Sequence, residues 1–471
     1  MDMQGLGSQG LGSQGLDSQG LGLRTGTGLR GVEFMSRPTR REWIASTAAG
    51  VAGLLLAPRG RALAGNSGEG SPSGKYPPIR TLTRGPSQHW FGYYDKLQFD
   101  PSNRFVLAGQ VGFEHRTPLA TDTIRVGMVD THRNDTWVEL GSSRAWGWQQ
   151  GCMLQWRPGT SSEVLWNDRE GDRYVCRSLD VVSGRRRTLP MPIYTLSPDG
   201  RFALTANFSR IQAMRPGYGY VGLPDPHGAD PHGDNLAPKE SGVFRMDLET
   251  GATTLVLPLA AIARIPFQGA VLENRWHYFN HLLIAPDSRR FIVLHRFRPL
   301  DKESGRPTGR YETRMVTANV DGTDVFVLDP SGHTSHFIWR DAEHVCMWTR
   351  PAGKQAGFYV FRDRTRAVEI VGAGVMTQNG HNTYVPGTNN EWILNDTYPG
   401  KDRRQRPYLF HVPTARRVEL GAFYSPRQYR GEWRCDTHPR SSADGRWVSI
   451  DSPHGGRGRQ IHLIDVGQII G

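Results

Sequence analysis

The chain has 471 residues, of which 22% are charged and 37% hydrophobic, and it contains 56 glycines and only four cysteines. This length allows a sizeable buried core, and the composition excludes a coiled coil, a collagen and a disulfide-rich scaffold. The formal net charge is +12, which attracts anions in general, but no zinc-finger, RNA-recognition or basic-helix motif makes nucleic acid the expected partner.

The first 64 residues are predicted to lie outside the fold. Residues 4–22 repeat the letters G-L-G-S-Q and cannot bury a core, so segment 1–34 is expected to be disordered. A better-formed leader begins at Met35 and spans 35–64, where Arg40 and Arg41 precede an apolar stretch and a small-residue cleavage site. This order predicts a twin-arginine signal peptide, and hence a periplasmic or secreted protein. The sequence leaves open whether translation starts at Met1 or at Met35.

A linker is predicted over 65–78, followed by a fold over 79–471 built from a repeat that occurs seven times. Each repeat has an apolar run, a turn rich in Pro, Asp and Gly, and a second apolar run, as in L-S-P-D-G-R-F-A-L-T. The turns fall at positions 101, 158, 198, 286, 341, 386 and 443. Each unit supplies about four short strands, which predicts an all-β, seven-bladed β-propeller with four-stranded antiparallel blades. The orphan strand Ile79–Thr83 is expected to complete blade seven and close the ring.

Histidines occupy the same position in four of the seven repeats. Five residues before the turn, the last four blades have His281, His336, His381 and His438, although the chain has only 16 histidines. This position is expected early on the innermost strand of each blade, so the four imidazoles should converge at one end of the central channel. Because imidazole is both a common metal ligand and the commonest general base near neutral pH, the set predicts a functional site.

Other polar residues are predicted to lie at the same level of the channel. Asp436 stands two residues before His438, on the same face of an extended strand, so the two are predicted to bind one ion together. Arg434 alternates onto that face too. The predicted substrate contacts are His89, Tyr94, Gln149, Gln150, Arg215, Asn280 and Asn382.

Several familiar site motifs are missing from the sequence. There is no C-x-x-C pair, G-x-S-x-G elbow, P-loop or dinucleotide-binding fingerprint. Cys152 and Cys176 fall in one predicted blade, and the sequence is compatible both with a disulfide and with two buried free thiols. After residue 64 no segment approaches ~18 continuous apolar residues, so no membrane anchor is expected once the leader is cleaved.

Five stretches of the chain carry a family resemblance. They are Q-H-W-F-G-Y-Y-D-K from Gln88, N-H-L-L-I-A-P-D from Asn280, S-H-F-I-W-R-D from Ser335, G-H-N-T-Y-V-P from Gly380 and T-H-P-R-S-S-A-D-G from Thr437. They resemble the oligogalacturonate lyases, which are seven-bladed propeller polysaccharide lyases. The resemblance implies that His281 is the base and that His336 and His438 hold manganese. Asp436 stands where the family has the first histidine of an H-P-H-P motif, and the family's glutamine ligand has no match near Trp433.

The sequence therefore predicts an exported, metal-dependent lyase that cleaves an acidic, uronate-containing oligosaccharide by β-elimination. His281 is expected to act as the base, with Arg434 neutralising charge. The expected ligands of the divalent metal are His336, His381, Asp436 and His438. The residues do not distinguish manganese from zinc or calcium. Two other functions fit the same fold: a non-catalytic propeller that binds a glycan or a protein, and a metal-dependent hydrolase.

Overall fold

The computed structural model describes residues 75–222, 232–233 and 235–471. The segments predicted as disordered and as a signal peptide, 1–34 and 35–64, lie outside the described residues, as does most of the predicted linker. Within the described ranges, no helix is long and apolar enough to cross a membrane.

The described residues form a seven-bladed β-propeller, in which each blade is an antiparallel sheet of four strands. Strand β1 (Ile79–Thr81) comes first. Blade one has β2 (Gln88–Trp90), β3 (Phe105–Val111), β4 (Ile124–Asp130) and β5 (Thr136–Ser143). Blade two has β6 (Gln155–Trp156), β7 (Glu163–Glu170), β8 (Arg173–Asp180) and β9 (Arg186–Leu189). Blade three has β10 (Thr195–Leu196), β11 (Phe202–Thr205), β12 (Gly242–Asp247) and β13 (Thr253–Pro258).

The remaining blades follow the same order along the chain. Blade four has β14 (Arg275–Ile284), β15 (Arg290–Pro299), β16 (Glu312–Asn319) and β17 (Phe326–Asp329). Blade five has β18 (Phe337–Trp339), β19 (His344–Thr349), β20 (Gly357–Arg362) and β21 (Val368–Val371). Blade six has β22 (Thr383–Tyr384), β23 (Trp392–Asn395), β25 (Tyr408–His411) and β26 (Arg416–Glu419), while β24 (Arg404–Gln405) and β27 (Phe423–Tyr424) form a separate pair. Blade seven has β28 (Arg440–Ser441), β29 (Trp447–Ser452) and β30 (Gln460–Asp465).

The fourth strand of blade seven is β1, from the start of the described chain. It pairs antiparallel with β30, and the register joins Ile79 to Ile464 and Thr81 to His462. This is the sheet pairing that the sequence predicted for the orphan strand. It covers the edge of β30 that would otherwise expose unpaired backbone groups.

Short helices decorate the blades without forming a layer of their own. Within the described residues they are α1 (Phe208–Met214), α2 (Leu259–Ala263), a 3-10 turn (Gly431–Trp433) and α3 (Gly467–Ile470). Helix α1 lies between β11 and β12 of blade three. All four cysteines are buried free thiols, which resolves the alternatives for Cys152 and Cys176.

The structure corrects where the four histidines sit in their blades. His336 directly precedes β18, while His381 and His438 each stand two residues before the inner strand, so the prediction that they lie on these strands was wrong. His281 is inside β14, at a bulge where the register shifts between Asn280 and Leu282.

The backbone at this level of the channel is kinked rather than extended. His281 and His438 have positive φ values of 57° and 39°, and Met153, the equivalent residue of blade two, has 54°. Asp436 and His438 therefore do not share the face of an extended strand. The prediction that strand alternation brings them together was wrong. A kink before the inner strand frees backbone N–H groups from the sheet, and that of His381 donates to the carboxylate of Asp396 at 2.8 Å.

A pair of buried histidines in blade four predicts sensitivity to acid. Arg314 donates to Nδ1 of His295 at 3.0 Å, Nε2 of His295 lies 2.9 Å from Nδ1 of His277, and Nε2 of His277 lies 3.1 Å from the Leu272 carbonyl. Within this chain of hydrogen bonds, the imidazole rings of His277 and His295 are both neutral. Burial is the main reason that the pKa of His277 falls from 6.5 to about 4.

Because the unfolded chain binds the extra proton first, stability is expected to fall as the pH drops from about 6.5 towards 4. For His277 alone the loss between pH 7.5 and pH 5 is about 2 kcal/mol. Urea unfolding of the wild-type protein and of His277→Gln at pH 7.5 and pH 5 measures this loss of stability, because glutamine cannot take up the proton that His277 binds. An equal loss in both proteins would contradict the assignment.

Candidate active site

Three buried side chains at the end of the channel form a group suited to a metal ion. They are His381, Asp436 and His438, which we call the His–Asp–His group; each offers one ligand atom, and these atoms lie within 4.8 Å of one another. The rings of His381 and His438 have centroids 4.4 Å apart, and Nε2 of His438 lies 3.9 Å from Oδ2 of Asp436. Among the described residues this is the one group of its kind. Blades six and seven supply its members.

Two imidazole nitrogens in this group are buried without a hydrogen-bond partner. They are Nε2 of His381 and Nε2 of His438. Leaving buried polar nitrogens unpaired costs free energy, so two such atoms at one place are well explained by a ligand that they bind. Burial, and then the proximity of His381, whose protonation would repel a second charge, hold the pKa of His438 well below 6.5, so its imidazole is neutral, as a metal ligand requires. The donor set fits a divalent cation of the zinc, manganese or iron type.

Asp396 orients the ring of His381. Its Oδ1 lies 2.9 Å from Nδ1 of that histidine, and its Oδ2 accepts a hydrogen bond from the Thr437 hydroxyl. A carboxylate at Nδ1 fixes the proton there and leaves the lone pair on Nε2, which is the usual support for a metal-binding histidine.

Replacing Asp396 with asparagine is therefore expected to weaken binding of a divalent cation at the His–Asp–His group about 10–100-fold. Calorimetric titration of metal-free protein with manganese measures the change. Asp287→Asn, at an exposed turn of blade four, makes the same chemical change far from the site and serves as the control. Unchanged manganese affinity in the Asp396 variant would contradict the supporting role.

His336 adjoins the His–Asp–His group without being part of it. Its ring centroid lies 4.1 Å from that of His381. Both of its nitrogens have neighbours, since Nδ1 lies 2.9 Å from Oδ1 of Asn379 and Nε2 lies 3.4 Å from the Tyr398 hydroxyl. At 3.4 Å the contact with Tyr398 is as long as the contacts around His281, so no short bond occupies Nε2 of His336.

His281 lies on the other side of Tyr93 from these histidines. The ring of Tyr93 stacks on His281 with centroids 4.8 Å apart, and its edge meets His438 at 5.1 Å. Burial, and after it the charges of Arg296 and Arg215, hold the pKa of His281 well below 6.5. Its imidazole is thus neutral and able to take a proton. The polar groups around its ring nitrogens all stand at 3.3–3.4 Å, so no short bond occupies either nitrogen.

Arginines without a carboxylate partner surround His281. Arg215 places Nη1 3.4 Å from Nε2 of His281 and donates from Nη2 to the Tyr218 hydroxyl at 3.0 Å. Arg296, 3% exposed, donates to Oδ1 of Asn280 at 2.6 Å, and its Nε has no partner. Neither arginine forms an ion pair with any residue in the described part of the chain. Arg434 differs, because its Nε donates to Asp436 at 2.8 Å.

Of the other predicted substrate contacts, one lies beside His281 and two form hydrogen bonds with backbone groups near the site. Gln150 reaches His281, with Nε2 3.4 Å from Nδ1. Tyr94 exchanges hydrogen bonds with the backbone of Phe337 and so holds the inner strand of blade five. Gln149 donates to the backbone carbonyls of Glu432 and Arg434.

His89 and Asn382 make their hydrogen bonds with residues outside the His–Asp–His group. The ring nitrogens of His89 meet Gln460 at 3.0 Å and Gln110 at 2.8 Å, between blades seven and one. Asn382 donates to the Cys346 carbonyl at 3.2 Å, towards blade five.

Sequence reasoning missed three residues of the site: Asp396, Tyr398 and Arg296. Only Arg296 has a clear signal, since it follows a histidine inside the otherwise apolar run F-I-V-L-H-R-F of β15. The others lie in loops that follow an inner or second strand, where the repeat gives no fixed position.

Comparison with known proteins finds similarity at the level of the fold. An oligogalacturonate lyase from Vibrio parahaemolyticus superposes with a TM-score of 0.56 and 13% identity, over 83% of this chain and 94% of that one. An oligogalacturonate lyase in complex with manganese superposes with a TM-score of 0.55 and 14% identity, over the same shares of the two chains. The structure resembles oligogalacturonate lyases. No protein-family model matches the sequence, and no curated protein matches it either.

Proposed function

We propose that this protein is a divalent-metal-dependent lyase that cleaves uronate-containing oligosaccharides by β-elimination. The observation that carries the proposal is a single buried site in which two unpaired imidazole nitrogens, a neutral histidine and two arginines without carboxylate partners lie together. The fold similarity to oligogalacturonate lyases, one of them with manganese, supports the same reaction class.

The arginines favour an anionic substrate. Arg215, which is half-buried, and Arg296, which is buried, carry charges that no described carboxylate balances, and a buried charge without a partner is costly. A planar carboxylate is the natural complement of a guanidinium, because the two form paired, charge-assisted hydrogen bonds. A uronate supplies such a carboxylate directly beside the carbon that must lose its proton.

In the proposed reaction, His281 removes the C5 proton of the uronate. Its neutral imidazole is the form that accepts a proton, and Gln150 and Tyr194 border the ring at Nδ1. Arg215, next to Nε2, is placed to bind the carboxylate of the same sugar. His381, Asp436 and His438 would hold the cation, which when bound withdraws charge from the carboxylate and favours loss of the adjacent proton.

We also propose that the protein is exported. Arg40 and Arg41, the apolar stretch 45–57 and the A-L-A sequence at 62–64 support a twin-arginine route to the periplasm or the medium.

Incubation of the purified protein with a panel of uronate oligosaccharides tests the reaction class. β-Elimination creates an unsaturated uronate that absorbs in the ultraviolet and one new reducing end per cut. A hydrolase would release reducing ends without the absorbance, and a binding propeller would produce neither. Either of these outcomes would overturn the proposal.

A further inference from the structure

The hydroxyl of Tyr218 lies between the two halves of the site. It accepts hydrogen bonds from Arg215 Nη2, at 3.0 Å, and from Arg434 Nη2. Its ring stands edge-on to His281, with centroids 5.5 Å apart and planes at 90°. The side chain is 3% exposed. A buried phenol thus adjoins the candidate base and touches the arginine bound to Asp436.

The two hydrogen bonds from guanidinium groups determine which further hydrogen bond the Tyr218 hydroxyl can form. A phenolic oxygen accepts with its lone pairs and donates one proton. The accepted bonds use the lone pairs, and no residue in the described ranges takes the proton from Tyr218. The O–H is therefore free to donate to a group that enters the site.

The chain holds Tyr218 firmly in this place. Arg215 caps the end of α1, and the backbone N–H of Gly217 donates to the Gln212 side chain at 3.1 Å. Gly217 has a φ of +90°, and a Cβ atom there would lie 2.8 Å from the Glu432 side chain, so only glycine fits this approach. The Gly217 carbonyl accepts from the backbone N–H of Gln149 at 3.0 Å.

We propose that Tyr218 is the general acid of the β-elimination, the group that protonates the departing sugar oxygen. This inference rests on the proposed function, which assigns a base and a metal group but no proton donor. His281 takes the proton from C5, the C–H electrons form the C4–C5 double bond, and the C4–O bond breaks. The departing oxygen takes the Tyr218 proton and leaves as an alcohol. Water then carries a proton from the imidazolium to the phenolate, which restores both groups.

The surroundings of Tyr218 suit a proton donor better than a packing residue. Its phenolate would be held by two guanidiniums that already point at the oxygen, so no reorganisation is needed when charge develops. Asp436, Arg434, Tyr218, Arg215 and His281 form one continuous line of polar contacts. The proposed acid and base are therefore connected by polar contacts to each other and to the His–Asp–His group.

Tyr218→Phe tests this role with two substrates that differ only in the group leaving C4. One releases a sugar alkoxide, which needs a proton, and the other releases 4-nitrophenolate, which does not. For the sugar, kcat is expected to fall about 10²–10⁴-fold. For nitrophenolate, kcat should stay within a few-fold of the wild type.

Tyr220→Phe is the matched control, because it removes a hydroxyl two residues away that faces Asn167 in the blade core. It should leave the ratio of the two rates unchanged. Bound manganese and thermal unfolding of each variant confirm that site and fold are intact.

Equal losses on both substrates, or no loss on either, would overturn the assignment of Tyr218 while leaving the lyase proposal in place. If the wild-type protein forms no unsaturated uronate from either substrate, the proposed function fails, and this inference with it.

Discussion

His281→Asn is expected to lower kcat for β-elimination by about 10²–10⁴-fold while the protein keeps its metal. Asparagine tolerates the positive φ of 57° at this bulge, so the backbone should stay in place. Its amide cannot accept the C5 proton, so the variant lacks the proposed base. Initial rates of unsaturated uronate formation, with metal content measured on the same preparation, test both parts of the expectation.

His344→Asn makes the same change on β19, where the ring pairs with Asp341 near the surface, and it should leave kcat unaltered. Loss of metal from the His281 variant would show that this histidine is a ligand and not a base. Full activity in the variant would show that the proton is taken by another group.

The second large effect is expected at the His–Asp–His group. His381→Ala should remove metal and activity together, since it deletes one of two buried Nε2 atoms that have no other partner. His438→Ala should do the same, with an added strain cost because its φ is positive. Metal analysis after dialysis, combined with kcat at saturating manganese, measures both quantities.

His336→Ala separates the structural assignment from the one that the family resemblance implies. His336 lies outside the group and has Asn379 and Tyr398 as neighbours, so its removal should cost less metal than removal of His381. Metal lost with His336 but retained without His381 would contradict the ligand assignment.

The sequence predicted this site through a property of propellers. Equivalent positions of a repeat are brought to equivalent places around one axis, so histidines at one offset had to meet. The prediction was right about the seven blades, and the structure places His281, His336, His381 and His438 around Tyr93 and Tyr94. No knowledge of side-chain packing was needed for that step.

The residues that the repeat could not locate are those that depend on kinks and insertions. Asp436 lies at the site next to a residue with positive φ, His438, where an extended strand was assumed. Tyr218 reaches the channel through an insertion in blade three, and Asp396 through the loop after β23. Their positions follow from tertiary contacts such as the hydrogen bond between Thr437 and Asp396, which no periodicity encodes.

The central claim is that one metal ion at the His–Asp–His group switches on β-elimination. Titrating metal-free protein with manganese, while unsaturated uronate formation is followed, tests it most directly. We expect negligible activity without metal and a rise that reaches its plateau at one manganese per chain. Equal activity with and without metal would contradict the claim. An unchanged manganese titration in His381→Ala would contradict it too, because it would show that activity needs no ion at this group.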